Sequence, residues 1–206
     1  MVKKNATSYK QTRFGILPRR EVIKLEAQGT KRGLVLLNKI ASKKKSITSD
    51  FIKKIHKECF SDILLKDAGR FRTIQVTYSG KEAPHFSKIN EMMKILGDDI
   101  EYAIGHLPKV SDEDFISRVV EIISRFQHRF VLIHPFLDYN GRIARMFTDY
   151  ILMRLNLPLI EIKAETGKER KDYIKALQKA DRGDYSDLEN IISSALNESL
   201  EQVIKS

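Results

Sequence analysis

His134-Pro135-Phe136-Leu137-Asp138-Tyr139-Asn140-Gly141-Arg142-Ile143-Ala144-Arg145 is the stretch on which the fold and chemistry of this chain turn. An apolar helical pattern runs into it and another leaves it, so its polar groups belong to a short loop clamped between two core elements. Asn140-Gly141 marks the turn into the second helix. Arg142 and Arg145 are three apart and share one side of that helix's first turn. A helix start offers unpaired N–H groups and the positive end of the dipole, both of which favour a phosphate. Two arginines bring charged forks to the same place. The segment reads as a polyphosphate site with a base, His134, and a metal-binding carboxylate, Asp138, beside it.

Outward from that loop the spacing is mostly helical. Upstream, Ser111-Asp112-Glu113-Asp114 is an acidic start, and Phe115, Val119, Ile122, Ile123, Phe126, Phe130 and Ile133 form one broad face that delivers His134. Downstream, Ile143, Phe147, Tyr150, Ile151 and Leu155 continue a buried stripe until Asn156-Leu157-Pro158 ends it. Two more amphipathic helices follow, one from Gly167 and one from Ser186. Near the start, Pro18 opens a helix through Ala27, Gly29 and Gly33 interrupt it, and Leu34 to Ile40 predicts a separate short helix. Thr48-Ser49-Asp50 caps a further one with Phe51, Ile52, Ile55, Cys59, Phe60 and Ile63 on its face. His56 beside that face is expected to be a structural or surface residue, not a catalytic one. Only residues 71–78 alternate with period two, and Ser79-Gly80-Lys81 follows as a turn. The expected fold is all-α with one small β-hairpin. Residues 1–17 are expected to be a flexible N-terminal tail and residues 18–206 one domain.

Composition sets the outer bounds. The chain has 206 residues, 42% apolar and 31% charged, which suits one soluble domain. It contains no run long and apolar enough to span a membrane, and Met1-Val2-Lys3-Lys4-Asn5 lacks the apolar core of a secretory signal. A lone cysteine, Cys59, rules out an internal disulfide and fits a reducing, cytoplasmic compartment. The net charge of +10 is scattered, apart from Lys43-Lys44-Lys45, with no zinc spacing or recognition helix. A solvated basic surface is therefore expected, not a nucleic-acid partner, and the oligomeric state is left open.

The loop also resembles the signature of the Fic family, His-Pro-Phe-x-Asp/Glu-Gly-Asn-Gly-Arg-x-x-Arg, at every chemical position but one. Tyr139 stands where the family usually has glycine. Gly69-Arg70-Phe71-Arg72 resembles the Gly-x-Phe/Tyr-Arg that commonly precedes the family's β-hairpin flap. The resemblance implies a Fic-like helical bundle, and transfer of a nucleotide monophosphate, usually AMP from ATP, to a Ser, Thr or Tyr hydroxyl of a target protein. It assigns the base to His134 and Mg²⁺ to Asp138. Asn140 and the amides around Gly141 would form the anion hole, with Arg142 on the β and γ phosphates and Arg145 supporting that charge. Thr77, Tyr78, Ser79 and Gly80 would be the flap that docks the target.

Tyr139 is expected to keep a negative φ and point outward, where it could narrow the nucleotide pocket. It leaves open transfer of another nucleotide monophosphate, phosphocholine or phosphate. A non-catalytic nucleotide- or DNA-binding regulator is the alternative of a different class. Many family members are held off by Ser/Thr-x-x-x-Glu-Gly/Asn, whose glutamate pairs with the second signature arginine. Ser194 to Ser199, with Glu198, and Lys24 to Gly29 are partial matches, so no strong internal brake is expected, and Glu198 is the candidate for one.

Overall fold

The computed structural model describes residues 9–205. Two strands come first, β1 (Tyr9–Thr12) and β2 (Gly15–Pro18), and then helices α1 (Arg19–Ala41) and α2 (Ser49–Leu64). A second pair of strands, β3 (Thr77–Tyr78) and β4 (Lys81–Glu82), leads through a 3-10 turn into α3 (Ile89–Gly105). The remaining helices are α4 (Phe115–Ile133), α5 (Asn140–Arg154), α6 (Gly167–Ala180) and α7 (Ser186–Ile204). The fold is all-α, as the periodicity predicts, with two two-stranded antiparallel hairpins in place of the expected one. Among the described residues no helix is long and apolar enough to cross a membrane.

The core forms around α4, which packs on α3, α5 and α7, while α1 lies on α2 and α5. The predicted stripes are the ones buried: Val119, Ile123, Phe126 and Phe130 of α4, and Ile143, Phe147, Tyr150 and Ile151 of α5. Phe51 of α2 meets Phe147 and Tyr150 edge-on at 5.3 and 5.1 Å, the arrangement that opposes ring edges to ring faces. A loop strung between α4 and α5 is therefore fixed at both ends by buried helices.

Three expectations are corrected. Residues 9–17 are not a loose tail. Thr12 is buried, its hydroxyl accepts from the Phe14 amide (3.1 Å) and donates to the Gly15 carbonyl (2.8 Å), and Arg13 N–H donates to Asp62 O (2.9 Å). Four-residue strands are too short to show a period, and residues 1–8 lie outside the described residues. The two short helices over 18–40 are one. Gly29 and Gly33 do not break α1 but let it approach α2, because an added Cβ would overlap the Cys59 carbonyl at the first and Cys59 Sγ and Met146 at the second. Finally, the alternation over 71–78 gives strand only at Thr77–Tyr78, since Arg72 ties the earlier part to the signature loop.

Gly29→Ala tests the close approach by the sign of its effect. In an ordinary helix interior the change stabilises by about 1 kcal/mol. Here overpacking against the Cys59 backbone is expected to cost about 1–3 kcal/mol in urea denaturation. Unchanged or higher stability would show that α1 and α2 do not meet at this point.

Candidate active site

The loop starts where α4 ends. His134 takes the left-handed conformation (φ 51°, ψ 56°), which turns the chain off the helix and sends Phe136 into the core. Tyr139, just before α5, is also left-handed (φ 64°, ψ 15°). Such backbone costs a residue with a Cβ about 1–2 kcal/mol, so two in one loop must be held by their surroundings.

Two side chains outside the loop hold it. Arg72 is buried and has no carboxylate partner among the described residues; backbone carbonyls take its place. Its Nε donates to His134 O (2.8 Å), Nη1 to Ile74 O (2.9 Å) and Nη2 to Pro84 O (2.6 Å) and Ile133 O (3.4 Å), while its own N–H donates to Pro135 O (2.9 Å). Two of those carbonyls close α4, the negative end of its dipole. Burial lowers the Arg72 pKa, but a guanidinium stays charged. From α2, His56 stacks on Phe136 at 3.8 Å with the rings 14° apart. Its Nδ1 accepts from Gly69 N–H (2.9 Å), so Nε2 carries the proton and donates to Asp138 O (3.3 Å). Burial pushes its pKa down to about 4, and the ring is neutral. His56 is structural, as expected, although its two backbone partners leave no trace in local spacing.

Inside the loop, the buried Asn140 side chain braces the backbone, Oδ1 accepting from Phe136 N–H (2.9 Å) and Nδ2 donating one of its two N–H groups to Phe136 O (2.8 Å), while the residue also lines the cavity described below. The amides that open α5 have no carbonyl one turn earlier in the helix. Tyr139 departs from its expected conformation. Its φ is positive and its ring turns inward, stacked on Phe60 at 4.0 Å, with the hydroxyl donating to Glu26 (2.8 Å). Stacking and that hydrogen bond offset the backbone cost that a glycine would have avoided.

The polar faces meet in a cavity of about 430 Å³ lined by the signature residues, the N-terminal hairpin, α1 and the segment before α6. His134 is half-buried there, and its Nδ1 donates to Val131 O (3.2 Å), which leaves Nε2 as the basic nitrogen. Burial chiefly holds its pKa below the ordinary histidine value. Asp138 is half-exposed, with Oδ1 accepting from Tyr139 N–H (2.8 Å) and Oδ2 from Lys10 Nζ (2.9 Å). Arg142 meets Glu26 (2.9 Å) and Glu165 (3.3 Å), and Arg145 meets Glu165. Glu26 is buried, which by itself raises its pKa, yet hydrogen bonds from Arg19, Tyr139 and Arg142 bring it below the ordinary value. Lys10, Arg19, Arg142 and Arg145 thus come already paired with carboxylates.

The flap residues Thr77, Tyr78, Ser79 and Gly80 form the hairpin tip, with the Tyr78 ring over His134. Glu198 is not brought to either arginine; it lies on α7 along a different cavity with Glu161, Glu169 and Asp172. The carboxylates that do reach the arginines, Glu26 and Glu165, are the residues sequence reasoning missed. Glu26 sits inside the partial match at Lys24 to Gly29, whereas Glu165 has no local signal.

The Fic/DOC family pattern matches residues 46–152, more than half of the chain. "Protein adenylyltransferase Fic" of Nematostella vectensis is 31% identical over 160 residues, covering 77% of this chain and 35% of that protein. "Protein adenylyltransferase fic-1" of Caenorhabditis elegans is 31% identical over 139 residues, covering 67% of this chain and 25% of that protein. This chain therefore spans about a quarter to a third of the length of these relatives. The solved structure of Fic-1 from C. elegans superimposes with a TM-score of 0.69 at 26% identity, over 87% of this chain and 50% of that one.

His56 gives the site a pH signature. Its folded pKa of about 4 lies below the unfolded value of 6.5, so between those values the unfolded chain binds the extra proton and stability falls as pH falls. From pH 7 to pH 5 urea denaturation should lose about 2 kcal/mol more in the wild type than in His56→Gln. Equal losses in the two proteins would mean that His56 is not a buried neutral brace.

Proposed function

The chain belongs to the Fic/DOC family, and on that premise we propose that it is a protein adenylyltransferase, transferring AMP from ATP to a hydroxyl side chain of a target protein. The observation that carries this reading is the meeting of a basic imidazole nitrogen and two arginines at the start of α5 in one cavity. A site that only bound nucleotide would have no use for the base. In the reaction, Nε2 of His134 takes the proton of the incoming hydroxyl and the freed oxygen attacks the α-phosphorus. The bond from that phosphorus to the oxygen bridging the β-phosphate breaks, and pyrophosphate leaves. Arg142 and Arg145 stabilise the charge on the leaving group, and the first amides of α5 hold the α-phosphate oxygens.

Asp138 fits a magnesium ion. Its half-exposed carboxylate already carries a cation on Oδ2, the Lys10 ammonium. Among the described residues no group of three His, Cys, Asp or Glu side chains could hold a metal, so phosphate oxygens would complete the coordination. Asp138 would hold such an ion, which would supply Lewis-acid stabilisation of the phosphate charge. The single buried Cys59 supports a reducing, cytoplasmic setting.

Glu26 and Glu165 both pair with Arg142, so Glu26 would compete with phosphates for that guanidinium. Glu26 would then act as an internal brake in a place other than Glu198. Glu26→Gln is expected to bind ATP about tenfold more tightly in calorimetry, the worth of one charged hydrogen bond. Unchanged or weaker binding would remove Glu26 from that role.

The activity itself is tested with α- and γ-labelled ATP, Mg²⁺ and a cell lysate. The expected result is α-label on protein that disappears in His134→Ala. The γ-label alone would mean phosphate transfer, and no label would mean another donor or a binding protein.

A further inference from the structure

Tyr78 of β3 lies face to face with His134, the ring centroids 4.2 Å apart and the planes 13° from parallel. The phenol is held from both sides. Its hydroxyl donates to Leu132 O (3.2 Å) on α4, and Lys81 Nζ sits 5.1 Å from the ring centroid. Lys81 in turn pairs with Asp181 at the end of α6, and Asp181 lies 3.0 Å from His128 Nε2 on α4. The hairpin is thereby fastened to two helices at the point where it covers the imidazole.

His134 needs such a contact. Its backbone is left-handed at the end of a helix, and among the described residues one 3.2 Å hydrogen bond from Nδ1 to Val131 O is its only side-chain hydrogen bond. That bond anchors one nitrogen but leaves the ring plane weakly determined, whereas face-to-face stacking fixes a plane. We propose that Tyr78 is a positioning residue for His134, its ring holding the imidazole in the plane that presents Nε2 to the cavity. This rests on His134 being the base and gives the flap tyrosine work inside the site, beyond docking a target. A ring is required and the hydroxyl is secondary, because only the ring touches His134.

The test compares Tyr78→Phe, Tyr78→Ala and His134→Ala with the wild type by two readouts. The first is α-label transfer from ATP to one lysate, measured against ATP concentration. Tyr78→Ala should lower the apparent kcat about tenfold or more with little change in the KM for ATP, as expected for a misaimed catalytic group, and Tyr78→Phe should recover most of the rate. The second is carbethoxylation of His134 by diethyl pyrocarbonate, followed by peptide mass spectrometry without nucleotide. Tyr78→Ala should react several-fold faster than wild type, and Tyr78→Phe at nearly the wild-type rate. Phe behaving like Ala, a change confined to KM, or unaltered His134 reactivity in Tyr78→Ala would overturn the proposal. Transfer that survives in His134→Ala would instead remove the base assignment, while the carbethoxylation rates would still report whether Tyr78 covers the ring.

Discussion

One buried guanidinium organises the site. Among the described residues Arg72 has no acid to neutralise it, so it depends on carbonyls: His134 and Ile133 at the end of α4, Ile74 and Pro84 around the second hairpin. A buried charge left short of partners is costly, so these segments are forced into one arrangement. That arrangement sets the left-handed turn at His134, lets Phe136 drop onto His56, and brings the flap close enough for Tyr78 to cover the imidazole. His134 and the strand above it are placed by the same interaction.

A second constraint is electrostatic. Lys10, Arg19, Arg142 and Arg145 converge on one cavity, and the chain neutralises them with Asp138, Glu26 and Glu165. The pairs differ in what it takes to open them. Glu165 is largely exposed, and such contacts are worth about 0–1 kcal/mol, so phosphate can replace it readily. Glu26 is buried and receives donors from three residues, Arg19, Tyr139 and Arg142. Tyr139, the departure from the usual signature, is one of the three. The substitution thus adds a hydrogen bond to the carboxylate that pairs with Arg142.

The parts legible in the sequence were those encoded by local spacing. The faces of α4 and α5, the loop between them and the cluster of charges in it could all be read from residues 111–155. What escaped depends on contacts between distant residues. Gly29 and Gly33 look like helix breakers until α2 lies against them, and then their missing side chains are the reason α1 can be continuous. The hairpin at Tyr9–Pro18 is too short for a period, and its link to the site is one ammonium on Asp138. Asn140 and Tyr139 have side chains that suit a ligand, and the fold also uses both to hold the loop.

The central claim is that this loop is a polyphosphate cradle whose cations are held by the protein's own carboxylates until a nucleotide arrives. Calorimetric titration with ATP, ADP and AMP, each with Mg²⁺, tests it most directly. Affinity should fall with each phosphate removed, by about tenfold or more from ATP to AMP, and Arg142→Ala should flatten the series. AMP binding as tightly as ATP, or a series unaltered by Arg142→Ala, would contradict it.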